Sequence, residues 1–447
     1  MNSPLLFGVF LLNPLRVIFY LNRAQNRLKW NKKKIAQYQN QKLKQAISNA
    51  YENVPFYNRL LKSNGIQPQD IKGIGDLNKI PIVNKADLRK NRKTDLISKK
   101  EEIKNLKKLS SGGSTGEPFS VFINNKEDAW RKAIYLRANI RCGQKPTDRW
   151  VSVIDAQYSE GNNRLQKSLG LYYRTIVPIT LNKQSRFRAV EKLNPTILDG
   201  FPSALYLLAK QQDHAKKTIQ PRIIFGSGEI MTNNQINLIE KAFSAPYFDQ
   251  YGCTEIDRSA WQCTPHKGYH MDIDSVIMQF VDKNGEEVGP GEKGEIVYTS
   301  LFNFAFPIIR YNIEDVGIPI NEECQCDIKL PMMKVIEGRS NDNLIFPNNQ
   351  VFTPIRFIEL LGAFKLEKEI EQYQIIQEKK NQVRIIIKKT NPTIDETKIE
   401  KLLRENLIKI SPPNTQNKDS TVHFDIIFTD KLTKTMRGKL KVITSKL

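Results

Sequence analysis

The stretch from Trp150 to Phe248 leaves this 447-residue chain the fewest choices of fold. Short runs rich in β-branched and aromatic residues lie at Trp150–Ile154, Thr196–Leu198 and Arg222–Phe225. Helical segments are expected between and after them, over 184–193, 203–217 and 232–243. Strand-like runs separated by whole helices cannot pair as hairpins; they align in parallel while the helices cross the sheet. A β-rich hairpin unit follows over 276–300, turning at Asp282-Lys283-Asn284-Gly285. Strands at 371–377, 382–388 and 421–428 with helices at 355–363 and 395–409 close the chain. The fold expected is α/β: a large N-terminal domain with parallel sheets, crossover helices and a β-rich unit (1–338), then a small α+β domain (339–447). Ligands of such sheets gather beyond the carboxyl ends of the strands.

One glycine-rich loop stands before the sheet. Lys108 to Pro118 reads Lys-Leu-Ser-Ser-Gly-Gly-Ser-Thr-Gly-Glu-Pro, between the strand-like runs 106–109 and 119–123. Gly112, Gly113 and Gly116 allow tight turns and close approach of backbone N–H groups to an anion. Ser110, Ser111, Ser114 and Thr115 add short hydroxyl donors. The stretch suits a phosphate cradle, though not a Walker A loop, since no Gly-Lys-Ser/Thr follows at the required spacing. The alternative is an ordinary hairpin tip.

Two strand ends carry matching chemistry. Ile223-Ile224-Phe225 runs into Gly226-Ser227-Gly228-Glu229, and Tyr247-Phe248-Asp249-Gln250 runs into Tyr251-Gly252-Cys253-Thr254-Glu255. Tyr251 offers a ring face to a base, Thr254 a hydroxyl to a phosphate, and Glu255 a hard oxygen to Mg²⁺, which takes one or two carboxylates beside phosphate oxygens. The alternative for the second is a strand-end turn with a solvated glutamate.

Charge restricts the partners. Lys and Arg total 69 against 47 acids, a net charge of +22, which favours nucleotides, anionic membrane or nucleic acid. The lysines are diffuse and no Arg/aromatic tract resembles an RNA-binding motif, so no specific nucleic-acid partner is expected. Residues 4–21 are strongly apolar but interrupted by Asn13, Pro14 and Arg16, and Arg23, Arg27, Lys29 and Lys32 follow with Trp30 among them. The segment 4–34 is either an interfacial amphipathic helix or a terminal helix packed on its own domain. Five cysteines are an odd and low count for this length, which argues for a reducing, cytoplasmic setting, membrane-associated if residues 4–34 reach lipid.

Taken together these stretches resemble the phenylacetate–CoA ligases and the related capsular-polysaccharide (CapK-like) proteins, a branch of the adenylate-forming enzymes. The resemblance runs from about residue 40 to the end. The glycine loop resembles the family's phosphate-binding loop, and Tyr251 to Glu255 matches its Tyr-Gly-x-Thr-Glu motif at every fixed position. Gly228 and Glu229 fall in a loop that lies against adenine in the family. Arg310-Tyr311-Asn312-Ile313-Glu314-Asp315 resembles Arg-Tyr-x-x-Gly-Asp, with Glu314 where glycine is usual; Asp315 matches the carboxylate that holds the ribose hydroxyls. Gly338-Arg339 precedes the family's hinge, with Arg339 implied on ribose or phosphate. Gly438-Lys439 resembles the terminal motif whose lysine reaches the carboxylate and α-phosphate.

The resemblance implies ATP, Mg²⁺ and a carboxylic acid as reactants, an acyl-adenylate intermediate, and coenzyme A as acyl acceptor. Positioning and charge neutralisation would carry the catalysis, with Thr254, Glu255 and Lys439 as its centre. An amine or hydroxyl of a polysaccharide precursor is the alternative acceptor, and a silent nucleotide-binding scaffold is the alternative of another class. The acid's pocket is expected between 152–163 and 200–255, with Tyr158, Phe201 and the loop Gly226–Glu229 as lining. A homodimer is among the assemblies open to the chain. Finally, Cys263, His270, Cys324 and Cys326 suit a closed tetrahedral, structural Zn²⁺ site, a pattern that relatives share; His266 is the rival ligand and unlinked thiols are the alternative.

Overall fold

Local sequence signals set the breaks of the N-terminal helices. In a computed structural model, α1 spans Pro4–Arg27 and α2 Lys32–Asn53. The Asn31 side chain accepts the Lys34 N–H at 2.9 Å and so starts α2. Val54, forced out of the helical region by the proline after it, is extended (φ −117, ψ 108) and separates α2 from α3 (Pro55–Ser63). The structure describes residues 4–110, 119–155, 164–212, 218–339, 342–347, 350–366, 368–410, 421–433 and 440–447. Two short helices, α4 (Lys85–Arg89) and α5 (Lys93–Leu96), lead to the antiparallel pair β1 (Lys107–Ser110) and β2 (Ser120–Ile123). The glycine loop is the connection of this pair, and residues 111–118 of it lie outside the described residues. Asn124 and Glu127 form a capping box at the start of α6 (Asn125–Arg141), whose residues Trp130, Ile134, Arg137 and Ala138 are buried.

The next segment alternates β3 (Trp150–Ile154), α7 (Arg164–Leu169), β4 (Arg174–Pro178), α8 (Lys183–Leu193), β5 (Ile197–Gly200), α9 (Pro202–Gln212), β6 (Ile223–Ser227) and α10 (Asn233–Phe243). A strand-rich segment follows: β7 (Tyr247–Cys253), β8 (Asp257–Gln262), β9 (Tyr269–Met271), β10 (Val276–Val281), β11 (Gly294–Ser300), β12 (Tyr311–Ile320) and β13 (Met332–Arg339). The last segment comprises β14 (Leu344–Ile345), β15 (Val351–Phe352), α11 (Pro354–Leu361), β16 (Ile370–Lys379), β17 (Gln382–Lys389), α12 (Glu396–Ile410), β18 (His423–Phe428) and β19 (Ile443–Ser445).

These elements gather into two units, one of residues 1–147, 163–171 and 248–336, the other of 148–162, 172–247 and 337–447. In the first, the strands run in the order β10-β11-β12-β13-β9-β8-β7. Antiparallel registers such as Val297↔Asn312 and Trp261↔His270 hold neighbours together. Its core packs Val121, Phe122, Ile296, Tyr298, Phe306 and Tyr311. The buried Arg137 binds Asp274 at 2.8 Å, and Asp272 bridges Arg137 and Arg258, so α6 is locked to β8 and to the residues after β9.

In the second unit β4, β3, β5 and β6 are neighbours in a parallel arrangement, with registers Val151↔Leu198 and Leu198↔Ile224. Their buried Val153, Leu205, Ile224 and Phe243 form one core with α9 and α10. The α/β alternation read from the sequence is present. β4, at Arg174–Pro178, is an addition, and α9 covers 202–212 of the 203–217 expected, with 213–217 outside the described residues. The same unit contains a four-stranded sheet in the order β18-β17-β16-β19, with its own core of Ile375, Ile385, Leu403 and Leu407. No described helix is long and apolar enough to cross a membrane.

Candidate active site and metal centre

The turn from β7 into β8 is tight. Asp257 adopts φ +77, and a Cβ on Gly252 would stand 2.0 Å from the Asp257 carbonyl oxygen, so only glycine fits there. The turn is braced from outside: Arg131 donates to the carbonyls of Thr254 (3.2 Å) and Glu255 (2.6 Å), and Asn303 donates to that of Glu255 (3.0 Å). With its backbone fixed, Glu255 holds its carboxylate inside the protein, 3% exposed. Lys85 Nζ lies 3.3 Å from its Oε1, and the Tyr311 hydroxyl donates to the same oxygen at 3.2 Å.

Tyr251 and Asp315 form the second element of this site. The Tyr251 hydroxyl donates to Asp315 Oδ2 at 2.8 Å, joining the end of β7 to β12. Burial, reinforced by the Asp315 charge, pushes the Tyr251 phenol well above its ordinary pKa, so it stays a donor. Glu314 adopts φ +66, a left-handed conformation that favours glycine. Glu314 thus stands, at the position where the resembled motif has glycine, in a conformation that glycine adopts readily. Thus Tyr251, Gly252, Thr254 and Glu255 share one turn, and Asp315 joins them through the Tyr251 phenol. Ser110 ends β1, its Oγ 2.9 Å from that of Ser120, while Ser111, Gly112, Gly113, Ser114, Thr115 and Gly116 lie outside the described residues.

In the second unit, the residues after β6 turn at Gly228, with φ +82, a conformation that side chains rarely adopt. Glu229 follows. Its Oε2 accepts the Ser203 N–H at 2.8 Å in the first turn of α9, and its Oε1 accepts the Leu440 N–H at 3.2 Å. Lys439 itself lies outside the described residues, as does Tyr158. Phe201 is buried among the strand and helix residues of this unit. Arg339 is the last residue of β13, and its side chain is outside what the structure describes.

Cys263, His270, Cys324 and Cys326 converge in the first unit, their donor atoms all within 4.8 Å of one another. Cys263 and Cys324 have their Sγ atoms 3.4 Å apart, and Cys326 Sγ lies 3.2 Å from His270 Nε2. For Zn–S bonds of about 2.3 Å, sulfurs on a tetrahedron are about 3.8 Å apart, so the group is already near the size a zinc ion needs. The second ring nitrogen of His270 settles the tautomer. Nδ1 lies 3.1 Å from the Leu330 carbonyl, which can only accept, so Nδ1 carries the proton and Nε2 faces the thiols with a lone pair. Burial lowers the His270 pKa, favouring the neutral ligand form. His266 is not among these donors: its backbone N–H donates to the Cys263 carbonyl at 2.9 Å and its ring stacks on Phe248 with centroids 4.9 Å apart.

Comparison with known proteins places this geometry in context. No family model matches the chain. Over 357 residues it is 26% identical to a phenylacetate–coenzyme A ligase of Thermus thermophilus, covering 77% of this chain and 78% of the relative. Over 433 residues it is 26% identical to protein CapK of Staphylococcus aureus, covering 90% of this chain and 87% of the relative. Over most of its length the chain is thus similar to phenylacetate–CoA ligases and to CapK. A 2-hydroxyisobutyryl-CoA ligase solved with 2-HIB-AMP has the same fold, with a TM-score of 0.76 at 17% identity over 94% of this chain and 92% of that one. Beside the motif residues, the site includes Lys85, Arg131 and Asn303, which sequence reasoning did not name, and it gives Tyr311, quoted within a motif without a role, a bond to Glu255. Nothing near Lys85, Arg131 or Asn303 in the sequence points to Glu255.

Proposed function

We propose that this chain activates a carboxylic acid with ATP and Mg²⁺ and passes the acyl group to coenzyme A. The observation that carries the reading is the single cluster of Tyr251, Thr254, Glu255 and Asp315, built from the motifs that carry the family resemblance. In the first step a carboxylate oxygen attacks the α-phosphorus, the bond to the bridging oxygen breaks, and pyrophosphate leaves. In the second a thiolate attacks the acyl carbon, the acyl–oxygen bond breaks, and AMP leaves.

Asp315 would receive the ribose hydroxyls, since a carboxylate accepts from two adjacent hydroxyls and Tyr251 fixes its orientation. The Tyr251 ring would offer a face to adenine. Thr254 and the Ser110–Gly116 loop would take phosphate oxygens, with Arg339 on ribose or phosphate. Glu255 would supply an oxygen to Mg²⁺, which when bound neutralises the phosphates. Lys439 would stabilise charge on the reacting carboxylate and α-phosphate, and Glu229, by holding the Leu440 N–H, would fix one end of its peptide. We further propose that residues from 339 onward act as the small mobile domain of the reaction cycle.

Cys263, His270, Cys324 and Cys326 would hold Zn²⁺ as a structural ion, since four protein donors leave no position for a substrate. A second acceptor reading, an amine or hydroxyl, is favoured by the likeness to CapK, which spans more of the chain than that to the ligase. Pyrophosphate release from Mg·ATP over a panel of carboxylic acids, with and without coenzyme A, separates the two. Release that needs one acid and rises with coenzyme A supports the thioester reading. Acid-dependent release indifferent to coenzyme A supports the other, and release with no acid requirement overturns both.

A further inference from the structure

The outer face of α1 and the cleft beside it were not used by any step above. The inner face of α1 is packed: Ala24 is fully buried, and Tyr20 meets Trp130 edge-on at 5.4 Å. Its outward face changes character along its length. Leu15, Ile18 and Phe19 are 63%, 60% and 51% exposed, spaced three and four residues apart and therefore side by side. Asn22, Arg23 and Asn26 continue the same exposed face.

Where the stripe ends, a cleft of about 640 Å³ opens. Four cations line it, Arg23, Arg27, Lys34 and Lys42, together with Trp30 and Tyr38, and no carboxylate does. Arg27 reaches Asp274 at 3.5 Å. Among the described residues, Arg23, Lys34 and Lys42 have no acidic partner. The aromatic rings hold the cations without neutralising them: Lys34 Nζ sits 4.4 Å from the Trp30 ring centroid and the Arg27 guanidinium 4.5 Å from that of Tyr38. Burial, with Arg27 and Arg23 nearby, lowers the Lys42 pKa, so these charges repel one another. Such a cleft is incomplete without an anion. Arg23 belongs to both features, since it lines the cleft and lies 4.3 Å over the Phe19 ring.

We propose that α1 docks this protein on an anionic lipid surface, with Leu15, Ile18 and Phe19 entering the interface and a lipid phosphate seated between Arg23, Lys34 and Lys42. The apolar stripe and the cationic cleft meet at Arg23, which is the order of groups met on crossing from acyl chains to headgroups. The inference is independent of the adenylation chemistry.

The test is cosedimentation of the full chain with vesicles of phosphatidylcholine, alone or mixed with phosphatidylglycerol. Binding is expected on the mixed vesicles, weakening as salt rises, and far weaker on phosphatidylcholine alone. Lys34→Gln with Lys42→Gln should reduce affinity about fivefold per charge removed. Ile18→Gln with Phe19→Gln should reduce it about tenfold per side chain removed. Unchanged melting temperature and pyrophosphate release would show that the variants are folded. Equal binding to both vesicle types, or none to either, overturns the proposal. So does full retention of vesicle binding by Ile18→Gln/Phe19→Gln with loss in millimolar inorganic phosphate, which would make the cleft a site for soluble anions. A dimer in sedimentation velocity that this variant dissolves would assign the stripe to a second copy of the chain, and overturns it too.

Discussion

Replacing Glu229 by alanine tests how the segment ending in Lys439 is held. The carboxylate accepts two backbone N–H groups, from Ser203 at 2.8 Å and from Leu440 at 3.2 Å. A hydrogen bond to a charged group contributes about 1.5–3 kcal/mol net, and the longer Leu440 bond of a half-buried carboxylate belongs at the low end, about 1.5 kcal/mol. That corresponds to about a tenfold loss of acyl-adenylate formation if the bond is needed when the acid attacks ATP. The Ser203 bond acts on α9 and should appear as lost stability of about 1–2 kcal/mol, read as a lower melting temperature. The two half-reactions separate these effects. Exchange of labelled pyrophosphate into ATP reports the first, and thioester formation from supplied acyl-adenylate and coenzyme A reports the second. Glu229→Ala should depress exchange about tenfold and leave thioester formation unchanged. Glu229→Gln, which keeps an oxygen acceptor without the charge, should lie between. Equal losses in both half-reactions, or undiminished exchange, would refute a role in positioning Lys439.

Asp315→Asn should raise the KM for ATP about thirtyfold with a smaller change in kcat, since two charge-assisted bonds to the ribose each lose about 1 kcal/mol; an unchanged KM removes Asp315 from nucleotide binding. Purified protein should carry zinc by elemental analysis, and Cys326→Ser should lose it together with the drop in melting temperature that a chelator causes in the wild type; equal zinc in both proteins excludes this donor set. Glu127, buried at the start of α6, has its pKa raised from 4.5 to about 7, with burial outweighing the N–H groups of Ala305, Asn124 and Phe304. The unfolded chain releases this proton first, so the wild type should lose up to about 3 kcal/mol as pH rises from about 4.5 to about 7, and no more above. Glu127→Gln does not titrate, and its melting temperature relative to wild type should climb across that window; a flat difference contradicts the assignment.

The parallel strands were legible because each is a short apolar run followed by a helix of clear periodicity. β4 was not, since Arg174-Thr175-Ile176-Val177-Pro178 is brief, opens on a cation and ends on a residue that interrupts strands. Residues at strand ends could be named for their chemistry: Tyr251, Thr254 and Glu255 lie together, and their types suit a nucleotide. Their supports could not. Lys85 is one of 69 lysines and arginines, and its partner Glu255 is 170 positions away (255 − 85). Arg131 sits in a helix whose pattern marks only a packed face. The metal donors were chosen as residue types, but their proximity comes from long-range pairing of β9 with β13, which sets Met332 opposite His270. Glu314 read as a departure from a glycine position; only its φ of +66 shows that the backbone there holds a conformation that glycine adopts readily, with a different side chain.

The pairing of Glu255 bears on how the proposed site would change when substrate arrives. A carboxylate that is 3% exposed is costly to leave without a partner, and here it has two. Tyr311 is 1% exposed, its ring fixed in the core, and its hydroxyl donates to Oε1. Lys85 is different: its side chain is 26% exposed, its ammonium lies 3.3 Å away, and four rotatable bonds let it withdraw without disturbing the backbone. Of the two partners only the lysine can yield to a divalent ion. The exchange would replace one positive charge by two, and the phosphates brought with the metal would offset the excess. Lys85 would thus hold the carboxylate in register while nucleotide is absent and remain within reach of the phosphates afterwards. Tyr311 would keep the orientation of Glu255 constant between the two states, so binding would need no rearrangement of the β7–β8 turn that Arg131 and Asn303 already fix.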